Sequence, residues 1–212
     1  MRFRCVRQKC AFFISLYLFS IFFITSNVFA EIRETTRFSE VLEAVQPGAI
    51  FITDVDGTLI MPNYMIGTEP WFSRTMNDRI KKNKSSFNDA VQYTLGLWRK
   101  VLTLGGVRLL EANVSKLIEE KQKLGMKILV LSAAMDDFLE ERINGLKSVG
   151  MNFENSSPYK GPKIRFQKGM IYEKGIILTT FQSKGLALKK FFEKFSDESK
   201  IVFVDDSLEN IK

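Results

Sequence analysis

The chain has 212 residues, 45% hydrophobic and 26% charged, the balance of a globular protein and not of a disordered or fibrous one. It has no histidine, and its two cysteines, Cys5 and Cys10, precede the first apolar run. A Ser-His-Asp triad, a Cys-His dyad, zinc sites using histidine or cysteine and a disulfide framework are therefore excluded. The formal net charge is +7, but Arg2, Arg4, Arg7 and Lys9 fall in the first thirty residues without an acid, so the remainder holds 27 basic and 24 acidic residues. The pI near 9.4 is thus partly a leader effect, and no nucleic-acid partner is expected.

Residues 1–30 have the three parts of an export signal: the basic "MRFRCVRQKC", the apolar "AFFISLYLFSIFFIT", and "SNVFA", with Val28 and Ala30 at the spacing a signal peptidase accepts. The alternative is an uncleaved anchor, for which the apolar run is short against the roughly 20 residues of a membrane span. The expected location is the periplasm or cell envelope, with membrane contact only through an uncleaved leader.

Residues 37–46, "RFSEVLEAVQ", predict a weak helix that stops at Pro47-Gly48, and "AIFIT" (49–53) a buried strand running into Asp54 and Asp56. Residues 61–108 lack an alternating pattern and predict a small, mostly helical insertion around "FNDAVQYTLGLWRKVL", with Trp71 and Phe72 as its packing. A helix follows with Leu110, Val114, Leu117 and Ile118 on one face and Gly125 as its cap. "KILVLS" (127–132) is a second buried strand. Asp136 and Asp137 are candidate caps of a helix carrying Phe138, Ile143 and Leu146. Residues 151–180 are turn-rich, with "GMIYEKGIILTT" as a hairpin. Ser183 caps the helix "KGLALKKFFEKF", and "KIVFVDD" is a third buried strand ending in acids.

Buried, unalternating strands separated by helices predict an α/β fold: a Rossmann-like parallel sheet with helices on both faces. In such sheets sites form beyond the carboxyl ends of the strands. The polar residues there are Asp54, Asp56, Ser132, Asp205 and Asp206.

Asp54-x-Asp56-Gly57-Thr58 after a strand resembles motif I of the haloacid dehalogenase-like (HAD) superfamily. Ser132 matches motif II, Lys184 motif III, and Asp205-Asp206 motif IV, in the same order. "MIGTEPWF", "LKSVGMNF" and "VFVDDSLENIK" further resemble an exported bacterial branch of that superfamily, a domain of unknown function with little assigned biochemistry. The resemblance implies a cap-type insertion between motifs I and II, about residues 61–108, in a domain spanning 31–212. Two features depart from the pattern. Motif II reads "SAAM" where relatives show threonine then arginine, so a substrate-contacting arginine is missing there. The sequence also stops soon after motif IV, so a C-terminal helix and strand are expected to be absent.

Phosphate-ester hydrolysis without histidine or cysteine needs a carboxylate nucleophile, Asp54, and a second carboxylate as acid and base, Asp56. Mg²⁺ suits an all-oxygen site. The resemblance implies metal ligation by the Asp54 side chain, the Asp56 carbonyl and Asp205, with Asp206 orienting a bound water. It also implies phosphate contacts from Ser132, Lys184 and Thr58, the last also steadying the loop. Lys189 and Lys190 are expected on the surface. The expected function is an exported, Mg²⁺-dependent phosphatase of small phosphate esters. A non-catalytic envelope binding protein and an inactive gene fragment remain as alternatives.

Overall fold

The turn at Pro47-Gly48, where Gly48 takes φ +82°, sends the chain into β1 (Ile50–Thr53), whose four residues are all buried. The computed structural model describes residues 31–195 and 200–211, so the expected export signal lies outside the described residues. The described residues from Thr35 onward form one compact unit; residues 31–34 are exposed and irregular.

Along the chain follow α1 (Phe38–Ala44), β1, β2 (Ile60–Pro62), α2 (Glu69–Asn83), α3 (Phe87–Gly105), β3 (Val107–Leu109), α4 (Val114–Lys123) and β4 (Lys127–Ser132). Then come a 3₁₀ turn (Asp136–Phe138), α5 (Leu139–Ser148), β5 (Ile164–Arg165), β6 (Ile171–Glu173), β7 (Ile176–Leu178), α6 (Lys184–Phe195) and β8 (Ile201–Val204). The six-stranded sheet has the order β5-β6-β7-β4-β1-β8. Strands β7, β4, β1 and β8 are parallel, and Phe51 stands opposite both Ile128 and Val202. The expected hairpin is β6–β7, which with β5 makes an antiparallel flank, so the sheet is mixed and not wholly parallel.

Alternate strand residues point to opposite faces, and here both faces are apolar. Phe51, Ile128 and Val130 pack with Phe38 and Leu42 of α1, Ile118 of α4 and Ile143 of α5. Ile50, Ile52, Leu129 and Leu131 face the other way onto Ala187 and Phe191 of α6. Helices thus cover both faces, as the α/β Rossmann-like reading requires. No described helix is long and apolar enough to cross a membrane.

The structure corrects four expectations. The stretch 61–108 is helical in α2 and α3, but β2 and β3 pair antiparallel at its base. Three residues each, one of them proline, are too few for alternation to show. Leu110 lies before α4 and is 40% exposed. Asp136 and Asp137 make no cap bond; their carboxylates instead bind Arg165 and Arg99. β8 is half-exposed, because it is an edge strand paired only with β1.

Candidate active site

After β1 the chain turns within six residues. The Leu59 and Ile60 amides both donate to the Val55 carbonyl, at 2.9 and 3.0 Å. This turn needs Gly57: its φ is +79°, and a Cβ there would overlap the Asp206 carboxylate. The Asp54 amide donates to Val204 O on β8 at 2.9 Å, which holds the ends of β1 and β8 together. Asp54 is therefore fixed in place and 5% exposed.

The helix α6 begins at Lys184, where Ser183 Oγ accepts the Leu186 amide at 3.4 Å. That start delivers the Lys184 side chain to the strand ends. It is 4% exposed, and its Nζ donates to Asp54 Oδ1 and, at 2.5 Å, to Asp205 Oδ2. Lys189, by contrast, is exposed beside Glu193. The other Asp205 oxygen accepts the Ser207 amide and Asn210 Nδ2, each at 2.9 Å. Ser132 ends β4 on the same rim; it lines the cavity over Asp54 and accepts the Ala134 amide at 3.3 Å.

Asp54, Asp205 and Asp206 each place a carboxylate oxygen within 4.8 Å of the others. The Asp56 carboxylate is not part of this trio. Of the two acids after β8, Asp206 lines the cavity and Asp205 lies beneath it, and both belong to the trio. Thr58 also has a different place from a phosphate ligand. Its Oγ1 accepts the Asp206 amide at 3.1 Å, and the residue does not line the cavity. It ties the loop after β1 to the loop after β8.

Burial pushes the Asp54 carboxyl up to about 6; Lys184 opposes the shift, and Asp205 and Asp56 add to it. Asp206 is raised too, by burial first and then by Asp205. The charge count works in the same direction as burial. Three clustered carboxylates face one ammonium, an excess of two negative charges, which is the charge of one divalent cation. An all-carboxylate donor set fits a hard cation such as Mg²⁺. The residues present fit that ion.

Asp56 is held by a residue that the motifs do not contain. Arg142 of α5 donates to both of its oxygens, Nη1 to Oδ1 at 2.9 Å and Nη2 to Oδ2 at 2.6 Å. Arg142 is 2% exposed, and its guanidinium lies 5.8 Å from the Trp98 ring centre and 5.5 Å from that of Phe138. A signal for it was present in the sequence: Leu139, Arg142, Ile143 and Leu146 share one helical face, and a charge inside an apolar stripe needs a partner.

The insertion closes over the strand ends. Trp98 stacks on Phe138 with ring centres 5.1 Å apart, and Arg99 bonds Glu141 at 2.5 Å and Asp137 at 3.0 Å. Between insertion and sheet is a cavity of about 630 Å³. Phe72, read as internal packing of the insertion, lines it.

A solved structure of a phosphoserine phosphohydrolase-like protein from Francisella tularensis subsp. tularensis SCHU S4 is similar to this chain at 18% identity and a TM-score of 0.40, covering 77% of this chain and 80% of that one. No curated protein matches. A family model matches residues 34–212, most of the sequence, and the chain therefore belongs to the family described as protein of unknown function (DUF2608).

Proposed function

We propose that this protein is a HAD-like phosphatase that hydrolyses phosphate monoesters through an aspartyl-phosphate on Asp54, with Mg²⁺ as its cofactor. The observation that carries the reading is the meeting of Asp54, Lys184, Asp205, Asp206 and Ser132 at neighbouring strand ends, with two negative charges uncompensated.

An Asp54 oxygen attacks phosphorus opposite the ester oxygen. The bond from phosphorus to the alcohol oxygen breaks as the bond to Asp54 forms, and Asp56 gives its proton to the departing alkoxide. Asp56, now a carboxylate, takes a proton from a water whose oxygen attacks the same phosphorus. The bond to Asp54 breaks and inorganic phosphate leaves. Lys184 pairs with Asp54 and the incoming phosphate, and the Ser132 hydroxyl donates to a phosphate oxygen. Arg142 is a positioning residue that fixes where the Asp56 carboxyl points. A magnesium ion held by Asp54, Asp205 and Asp206 would neutralise the anionic nucleophile and phosphate as they approach.

Export is part of the proposal, on the basic-apolar-small pattern of residues 1–30. Fractionation of cells expressing the C-terminally tagged chain tests it; recovery in the cytoplasm at full length overturns it.

The mature chain with Mg²⁺ is expected to release phosphate from 4-nitrophenyl phosphate. Chelation or Asp54→Asn should lower turnover by at least about a thousandfold. A cooperatively melting protein without turnover on a broad panel of phosphate esters would overturn the assignment.

A further inference from the structure

The cavity over Asp54 is far larger than a phosphoryl group, and its size falls among pockets that bury whole small molecules, roughly 300–1,000 Å³. The reacting groups occupy only its floor. Its walls are apolar: Met61, Phe72, Leu95 and Trp98 from the insertion side, Phe138 and Phe181 from the sheet side.

Cations on the walls are already engaged. Arg99 is bound to Glu141 and Asp137, and Lys184 lies between Asp54 and Asp205 on the floor. The remaining charged wall residues, Glu69 and Asp137, are acidic. A leaving group carrying a carboxylate or a second phosphate would meet acidic side chains and, among the described lining residues, no uncommitted cation.

Phe181 supplies an independent observation. Thr180 and Phe181 have φ of +51° and +60°, a region that a bulky side chain rarely adopts. Hydrogen bonds from its own residues to neighbouring segments hold this loop. The Thr180 and Phe181 amides donate to Ala134 O and Ala133 O at 3.0 and 2.9 Å. Thr180 Oγ1 donates to Gly169 O at 2.9 Å, and Gln182 Nε2 to Lys168 O at 2.7 Å. Yet the ring so held is 60% exposed. The loop keeps a strained backbone in order to present an aromatic ring that the fold does not bury, at the rim of the cavity. Strain of this kind points to a ligand for the ring.

We propose, resting on the phosphatase reading above, that the substrate is the phosphate monoester of a bulky, uncharged apolar alcohol of aromatic-ring size or larger. Its leaving group sits between Phe181 and the apolar wall formed by Phe72, Leu95, Trp98 and Phe138. The chemistry is that already given; the cavity specifies the alcohol.

The test uses 2-naphthylmethyl phosphate, ethyl phosphate and phosphoserine, three esters of primary alcohols, with the mature protein and Mg²⁺. The value of kcat/KM is expected to be about a hundredfold higher for the naphthylmethyl ester than for the other two. Phe181→Ala should reduce that preference about tenfold. Equal values for the three esters, or a preference untouched by Phe181→Ala, overturn the substrate class and leave the phosphatase standing. Absence of turnover on all three counts against the phosphatase, and binding then decides the cavity. In calorimetry with Asp54→Asn and Mg²⁺, binding of the naphthylmethyl ester about thirtyfold tighter than ethyl phosphate supports an apolar ligand site; equal affinity overturns it.

Discussion

Arg142 and Asp56 form an unequal pair: the guanidinium is 2% exposed and the carboxylate 42%. Removing either partner therefore has different consequences. Asp56→Ala leaves a buried cation without its acceptor and should cost about 2–3 kcal/mol, below the roughly 3–5 kcal/mol of a fully buried pair because Asp56 is partly hydrated. Arg142→Met leaves a carboxylate that water can reach and puts an apolar side chain into an apolar stripe, so its Tm should stay close to that of the parent. Its kcat, however, should fall about a hundredfold with little change in KM, as expected when an acid–base group loses its orientation. Comparing thermal melts with kinetics of the two variants checks both statements. Asp54 carries a second asymmetry. Its folded value of about 6 lies above the ordinary 3.8, so its contribution to stability is whole below about pH 4 and is lost as pH rises through 6. Metal-free Asp54→Asn should accordingly melt higher than the parent at pH 7–8, by about 3 kcal/mol at most from the two-unit shift, and match it near pH 4. A gain of the same size at both pH values would refute this origin.

Among the elements, the long apolar runs were legible and the short ones were not. Ile50–Thr53 and Lys127–Ser132 are read at once because both faces of each strand are buried. β2, β3 and β5 are two or three residues long, and their pairing is fixed by contacts distant in sequence that no local pattern records. In the site the difference was of the same kind. Asp54, Ser132, Lys184 and Asp205 stand at element boundaries, where polarity changes abruptly. Arg142 sits mid-helix, and the motif II departure drew attention to the wrong position. The placement of Thr58 and the order of Asp205 and Asp206 depend on how two loops interlock, which spacing does not encode. The insertion makes its own prediction. Arg99 links α3 to the core through Asp137 and Glu141, and both bonds are partly exposed. Arg99→Ala should leave the global melt nearly unchanged while cleavage within residues 61–108 by a limiting protease becomes several times faster, since local opening and global unfolding are separate events.

On the scale of the whole molecule, the proposed ion site would convert ion binding into stability. A cation that binds only the folded chain at a hundred times its Kd contributes about 2.7 kcal/mol, roughly 5–10 °C in Tm for a domain of this size. Mg²⁺ should raise the melt of the parent by that order, and Asp206→Asn should remove most of the increment. The sheet adds one more consequence. Two of the three clustered carboxylates follow β8, and among the described residues β8 is joined to the sheet by β1 alone. Ion capture and the docking of this last strand are then a single equilibrium. Amide hydrogens of residues 201–204 should exchange with solvent deuterium progressively more slowly as the ion is titrated in, while those of β4 at the sheet centre keep their rates. The ion would act as a clasp on one flank of the molecule, and losing it would release the acidic arm after β8 before the core yielded.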